Sequence, residues 1–289
     1  LAISVAMMAV TGDETAIMKA TRQLGKLART QIYTVIATLI VSVPLYYFYG
    51  HSGVVPAIVL IAFATMLITI AYSYRTFPFR FDFRRSMLRE GAGMIRLGLA
   101  FVFAAAVGSA SEMAIRAYLN VVGSLDEVGL YNTAFMITIT YAGMVFSAME
   151  SDFFPRLSGV ASDIEATNNT VNKQIEVSLL LLAPMLVALL MSLPLLIPML
   201  FSSEFLPVVG MAQVAVLAMY FKVLTPPEHY ITLARRQSLP YLVLETSYFV
   251  VLIVAIVMGY RLWGIWGTGV AIVIAHVAEN FFVTGYATW

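Results

Sequence analysis

The chain is 289 residues long, 61% hydrophobic and only 11% charged, with a formal net charge of +1. A soluble domain carries about a quarter of its residues as charged groups, so a mean hydropathy of +0.87 excludes an ordinary soluble protein. The near-neutral balance gives no nucleic-acid footprint, and the absence of cysteine excludes disulfides and Cys-ligated metals or clusters.

Leu1 to Val10 reads as the tail of a helix that begins upstream. A polar stretch with Lys19, Arg22, Lys26 and Arg29 follows. A helix needs about 20 apolar residues to cross a hydrocarbon core, and eight such spans are predicted. They are Gln31 to Tyr49, Val54 to Tyr72, Leu97 to Tyr118, Val128 to Ala148, Ile175 to Phe201, Val208 to Leu233, Tyr241 to Met258 and Trp263 to Thr284. A Gly50-His51-Ser52-Gly53 turn joins the first two, and an arginine-rich segment from Arg75 to Arg96 precedes the third. A polar loop is expected over Glu150 to Lys173. Pro184, Pro194 and Pro198 in span five and Pro226-Pro227 in span six remove helical hydrogen bonds, which predicts bends there.

With the N-terminal end placed in the cytoplasm, 14 of the 17 basic residues fall on cytoplasmic loops and only Arg261 falls outside. The positive-inside rule favours this orientation. No leader is visible before Leu1, and the pattern is still membrane-like at Trp289, so a segment of a longer protein is expected. The fold class is an all-α membrane helix bundle.

Catalytic signatures are not found: there is no Walker A loop, G-x-S-x-G elbow, H-E-x-x-H or dinucleotide fingerprint. His51, His229 and His276 are too scattered to suggest a metal site, and no outer loop is large enough to hold an enzyme's constellation. Attention therefore falls on ionisable groups inside spans, where they are costly and commonly face a cavity. Ser109, Glu112, Arg116 and Asn120 recur at three- and four-residue spacing and form one polar stripe on span three. Arg116 could face a cavity and bind an anionic group, since guanidinium suits bidentate phosphate contact. It could equally pair with Glu112 near the outer interface and snorkel. Lys222 lies mid-span, either lining a cavity and approaching Glu228 or reaching the interface where the helix breaks. Glu245 reads first as a helix-start carboxylate. His276 and Glu279, one turn apart, form a candidate proton or cation site, or else approach the cytoplasmic interface.

The run from Val128 resembles the second-lobe signature of polysaccharide-export flippases. It holds a V-G-x-Y start at Val128, Gly129 and Tyr131, and an F-P-R-L-S sequence from Phe154 to Ser158. Pro184, "FSSEFLPV" from Phe201 to Val208 and "YYFYGHSGVVPAIVL" from Tyr46 to Leu60 are similar as well. The superfamily includes the multidrug and toxin extruders. The resemblance implies two lobes of six helices around a central cavity, with 1–96 the end of the first lobe and 97–289 the second.

It also implies alternating access and cavity arginines that hold the pyrophosphate of an undecaprenyl-linked oligosaccharide; here Arg116 is the candidate. Ser109, Glu112, Asn120 and Lys222 would line the same cavity. His276 and Glu279 would serve a coupling ion, H⁺ or Na⁺. The expected setting is the bacterial inner membrane, in O-antigen or lipopolysaccharide synthesis beside glycan polymerase or ligase machinery, with no cofactor. A cation-coupled drug exporter of the same superfamily is the alternative. A membrane-embedded glycan ligase or polymerase would need an outer loop that is not seen, and a passive scaffold would leave the polar stripe unexplained.

Overall fold

The computed structural model describes residues 2–21, 23–75, 85–235 and 237–287, and every element among them is helical. Arg22, Arg80, Arg84 and Arg236 of the predicted basic loops lie outside the described residues. The chain divides into two compact units, Leu1–Arg84 and Arg85–Trp289.

The first unit holds α1 (Ala2–Ala20), α2 (Leu24–Tyr49) and α3 (Val54–Tyr74), each packed against the other two. α1 does not end at Val10; it continues through Gly12, Asp13 and Glu14, with the Thr11 and Thr15 hydroxyls donating to carbonyls one turn back and so kept from competing for the backbone. α2 and α3 fold back on each other through the 3-10 turn Gly50–Gly53, with Gly50 at φ 51°. A side chain at Gly53 would stand 2.5 Å from the Leu45 carbonyl oxygen, so only glycine allows this tight return.

The second unit opens with α4 (Arg85–Val122). α5 (Leu125–Phe135), a π-helical turn Met136–Thr140 and α6 (Tyr141–Val160) together build the predicted fourth span. α7 (Ile164–Leu200) runs unbroken through its three prolines. The long polar loop expected over 150–173 is instead helix on both sides of a short break at 161–163, where Asp163 accepts from the Ala166 amide at 3.1 Å and starts α7.

Span six is divided as its prolines require. α8 (Val209–Lys222) ends before Val223-Leu224, and α9 (Thr225–Ala234) begins with Pro226-Pro227 in its first turn, where their missing amides are harmless. Spans seven and eight form one element, α10 (Ser238–Ala287), which reverses at Trp263-Gly264, with Gly264 at φ 60°. Its two legs meet at Gly259 and Gly267, each of which leaves no room for a Cβ against the other's backbone.

α8 sits at the centre, packed by α5, α7, α9 and α10. Its Met211, Ala212, Ala215, Val216, Ala218 and Met219 are all buried, and small residues let neighbouring backbones close in. On α7, Leu182, Leu186, Leu193 and Ile197 are buried while Leu180, Met191, Leu195 and Met199 are at least 70% exposed. Such an apolar outer face suits lipid, not water. Five helical segments among the described residues are long and apolar enough to cross a membrane. Two of them, Gly25–Tyr74 and Ser238–Tyr286, each contain a reversal and so hold two legs, while the fourth predicted span is outside the five; a count of eight crossings does not follow from length and hydropathy alone.

Candidate functional site

Two groups of polar side chains lie within the helices of the second unit. The first is built on α4. Arg116 pairs with Glu112 at 3.1 Å, and its Nε donates to Asn132 Oδ1 on α5 at 2.8 Å. The guanidinium also stands 5.9 Å from the Phe135 ring centroid. α4 supplies the pair through its i, i+4 spacing, and the packing of α5 supplies the third partner. Both charged side chains remain more than a third exposed, which leaves guanidinium donors free for an anion. Ser109 and Asn120, on the same helix, are exposed, and the contacts to Arg116 come from Glu112 and from Asn132 on the next helix.

The second group lines a partly open cavity of about 260 Å³ bordered by α4, α6, α9, α10 and the end of α8. The break before α9 places Lys222 at its wall. The first leg of α10 contributes Glu245, the second leg Glu279, and α6 contributes Glu150. His276 is completely buried behind this wall; its Nδ1 lies 2.8 Å from Glu279 Oε2 and its Nε2 3.4 Å from the Tyr248 hydroxyl, with the two rings stacked. His229 Nδ1 is 3.5 Å from Glu245 Oε1, and its ring stacks on Tyr241 at 5.0 Å. Lys222 Nζ stands 6.0 Å from the Tyr248 ring centroid and pairs with no carboxylate among the described residues. A neighbouring cavity of about 250 Å³ shares Glu150, Lys222, Pro226 and Tyr230 and reaches Gln174 and Ser178 on α7.

The structure thus brings Lys222 near Glu279 and His276, which lie more than 50 residues further along the chain, and adds Glu245, His229 and Glu150. Glu245 is a wall residue of this cavity as well as a residue in the first turns of its helix. Glu150 lies within α6 and faces the cavity, because α6 continues where a loop was expected. Glu228 turns away from Lys222 and accepts from Thr284 at 2.7 Å. Among the described residues, no three His, Asp or Glu side chains are placed to hold a metal ion. The motif Phe154 to Ser158 has a structural part: Arg156 pairs with Asp152 at 2.9 Å and donates to Gln174, fastening α6 to α7, while Leu157 is fully buried.

Fold and site together define a multi-pass helical membrane protein with ionisable groups held inside its bundle. The chain belongs to the polysaccharide biosynthesis protein family, whose model matches residues 1–210. Its architecture is that of the MATE and MOP-superfamily transporters. It superposes on MATE in the straight conformation with a TM-score of 0.84 at 10% identity, covering 96% of this chain and 65% of that one. An outward-facing multidrug resistance MATE family transporter gives 0.81 at 11% identity, covering 95% and 64%. The lipid II flippase MurJ in an inward closed conformation gives 0.61 at 14% identity, covering 99% and 61%. The chain therefore spans about two thirds of the length of these structures. They are transporters and a flippase, not enzymes. No protein of curated function matches the sequence.

Proposed function

We propose that the chain is part of a flippase that carries a lipid-linked oligosaccharide across the bacterial inner membrane for surface polysaccharide synthesis. The observation that carries this reading is the charged, partly enclosed cavity inside a MOP-type bundle, in a chain whose family is that of polysaccharide biosynthesis proteins. A polyprenyl-pyrophosphate glycan presents many hydroxyls, which the polar wall of the cavity suits, and two charged phosphates, which need a cation held apart from the cavity's carboxylates. Arg116, with its spare guanidinium donors, is the group for the pyrophosphate. The hydrogen-bonded His276–Glu279 pair is the group for a coupling proton or cation.

In this reading residues 1–96 close the first lobe, 97–289 form the second, and the two lobes rock to open the cavity to either side. The N-terminal end of the segment faces the cytoplasm, and the exported glycan passes to polymerase or ligase partners. Deleting the full gene in its host should trap lipid-linked glycan on the cytoplasmic leaflet and strip the surface polymer. Normal surface glycan together with new sensitivity to small cationic drugs would overturn this reading. That result would favour a cation-coupled drug exporter, which the carboxylates of the cavity also suit.

A further inference from the structure

The cavity beside Lys222 has a composition that restricts what can enter it. Three carboxylates, Glu150, Glu245 and Glu279, face one ammonium, Lys222. Even with one carboxylate protonated, two negative charges stand against one positive. A second carboxylate or a phosphate brought here meets like charge in a site of low dielectric, which is strongly unfavourable.

Two further atoms point to a ligand with hydroxyls. Thr225, 2% exposed, and His229, 7% exposed, both line the cavity, and Thr225 Oγ1 and His229 Nε2 are buried without a partner. Buried polar atoms left unmade are costly and are normally satisfied by solvent or ligand. His229 Nδ1 stands 3.5 Å from Glu245 Oε1, and with the proton on that nitrogen Nε2 is free to accept. A sugar hydroxyl can donate to Nε2, and another can exchange a hydrogen bond with Thr225.

Aromatic faces complete the set. Tyr241 lies between His229 and Phe101, with ring centroids at 5.0 and 4.8 Å, and Tyr230 packs on Phe154 at 5.7 Å. Tyr241, held between its two neighbours, only shapes the wall, and Tyr230 is the ring on which the apolar C–H face of a pyranose can lie. The volume of about 260 Å³ is just below the range of small-ligand sites, which begins near ~300 Å³, so the space suits one ring and not a whole oligosaccharide.

We infer that this cavity is a subsite for a single neutral or amino-bearing sugar ring and that its carboxylates exclude acidic sugars. The inference rests on the flippase reading and narrows its substrate. It is tested on the full-length protein in lipid nanodiscs by saturation-transfer NMR with the methyl glycosides of glucose, glucosamine and glucuronic acid. Glucoside and glucosaminide should bind, and glucuronide should bind about tenfold or more weaker, the scale of a like-charge contact. Glu245→Gln, which keeps the shape, should narrow that gap, and Tyr230→Ala should weaken all three glycosides. Thermal unfolding of each variant separates lost binding from lost fold. Equal binding of glucuronide and glucoside would overturn the subsite. So would the failure of every glycoside to bind a folded, export-competent protein, which leaves the flippase reading standing. Intact glycan export after gene deletion would instead remove the flippase reading itself, whichever glycoside binds.

Discussion

Arg116 shows how much one side chain depends on its neighbours. Its pairing with Glu112 follows from helical spacing and was readable in the sequence. Its bond to Asn132 was not, because it requires α5 to lie against α4. Asn132 gave only a weak signal, as a polar residue directly after Tyr131 in an apolar span. If Arg116 holds a phosphate, Arg116→Ala should reduce export of surface glycan by roughly tenfold or more, since a charged hydrogen bond contributes about 1.5–3 kcal/mol. Arg116→Lys should fail to restore it, because an ammonium cannot make the bidentate contact. Complementation of a deletion strain, scored by surface polymer, reads both; full export with Arg116→Ala would remove the role. The cavity group was legible only piecewise. His276 and Glu279 share a helix face, but nothing in the sequence ties them to Lys222 or His229, since those contacts are made between helices. Glu245 read as a helix-start residue because position along a span does not say which way a side chain points.

At the scale of the element, boundaries followed turn chemistry more closely than polarity. The polar run 150–173 looked like a loop, yet α6 and α7 continue into it because Asn, Asp and Ser residues on a helix that projects beyond the bilayer are simply solvated. At 37 residues α7 is about 55 Å long from the rise of ~1.5 Å per residue. This exceeds a hydrocarbon core of about 30 Å. The boundary is set by Asp163 capping the Ala166 amide, so Asp163→Ala should lower stability by about 1 kcal/mol, measured by thermal unfolding in detergent. The α10 hairpin makes a stronger demand. A methyl group at Gly267 would run into the Gly259 backbone, so Gly267→Ala should cost roughly 1–3 kcal/mol as overpacking. Unchanged unfolding of Gly267→Ala would show that the two legs can separate freely. The bend expected at Pro226-Pro227 is a full break, since two adjacent prolines fit the first turn of α9, where their missing amides cost nothing. Pro184, Pro194 and Pro198, by contrast, lie within one continuous α7, as the single span Ile175 to Phe201 expected.

For the whole molecule, orientation is the property that loop charge addresses most directly. The chain has no cysteine, so single-cysteine variants report without background. In intact cells an impermeant thiol reagent should label Arg261→Cys and spare Arg235→Cys; the reverse pattern would invert the proposed orientation. Composition and block length by themselves determined that the protein is a multi-pass helical bundle, because the free energy of placing some 20 apolar residues in hydrocarbon is a sum over local sequence. The motifs around Val128 and Phe154 determined its family for the same reason: they are contiguous. Which face of each helix looks inward was decided only by the tertiary structure. In α7 both faces are apolar, so no periodicity separates buried Leu193 from exposed Leu195. The meeting of Lys222, Glu150, Glu245, Glu279 and His229 around one cavity was decided there too, because contacts between helices depend on packing of small residues such as Ala212, Ala215 and Gly269.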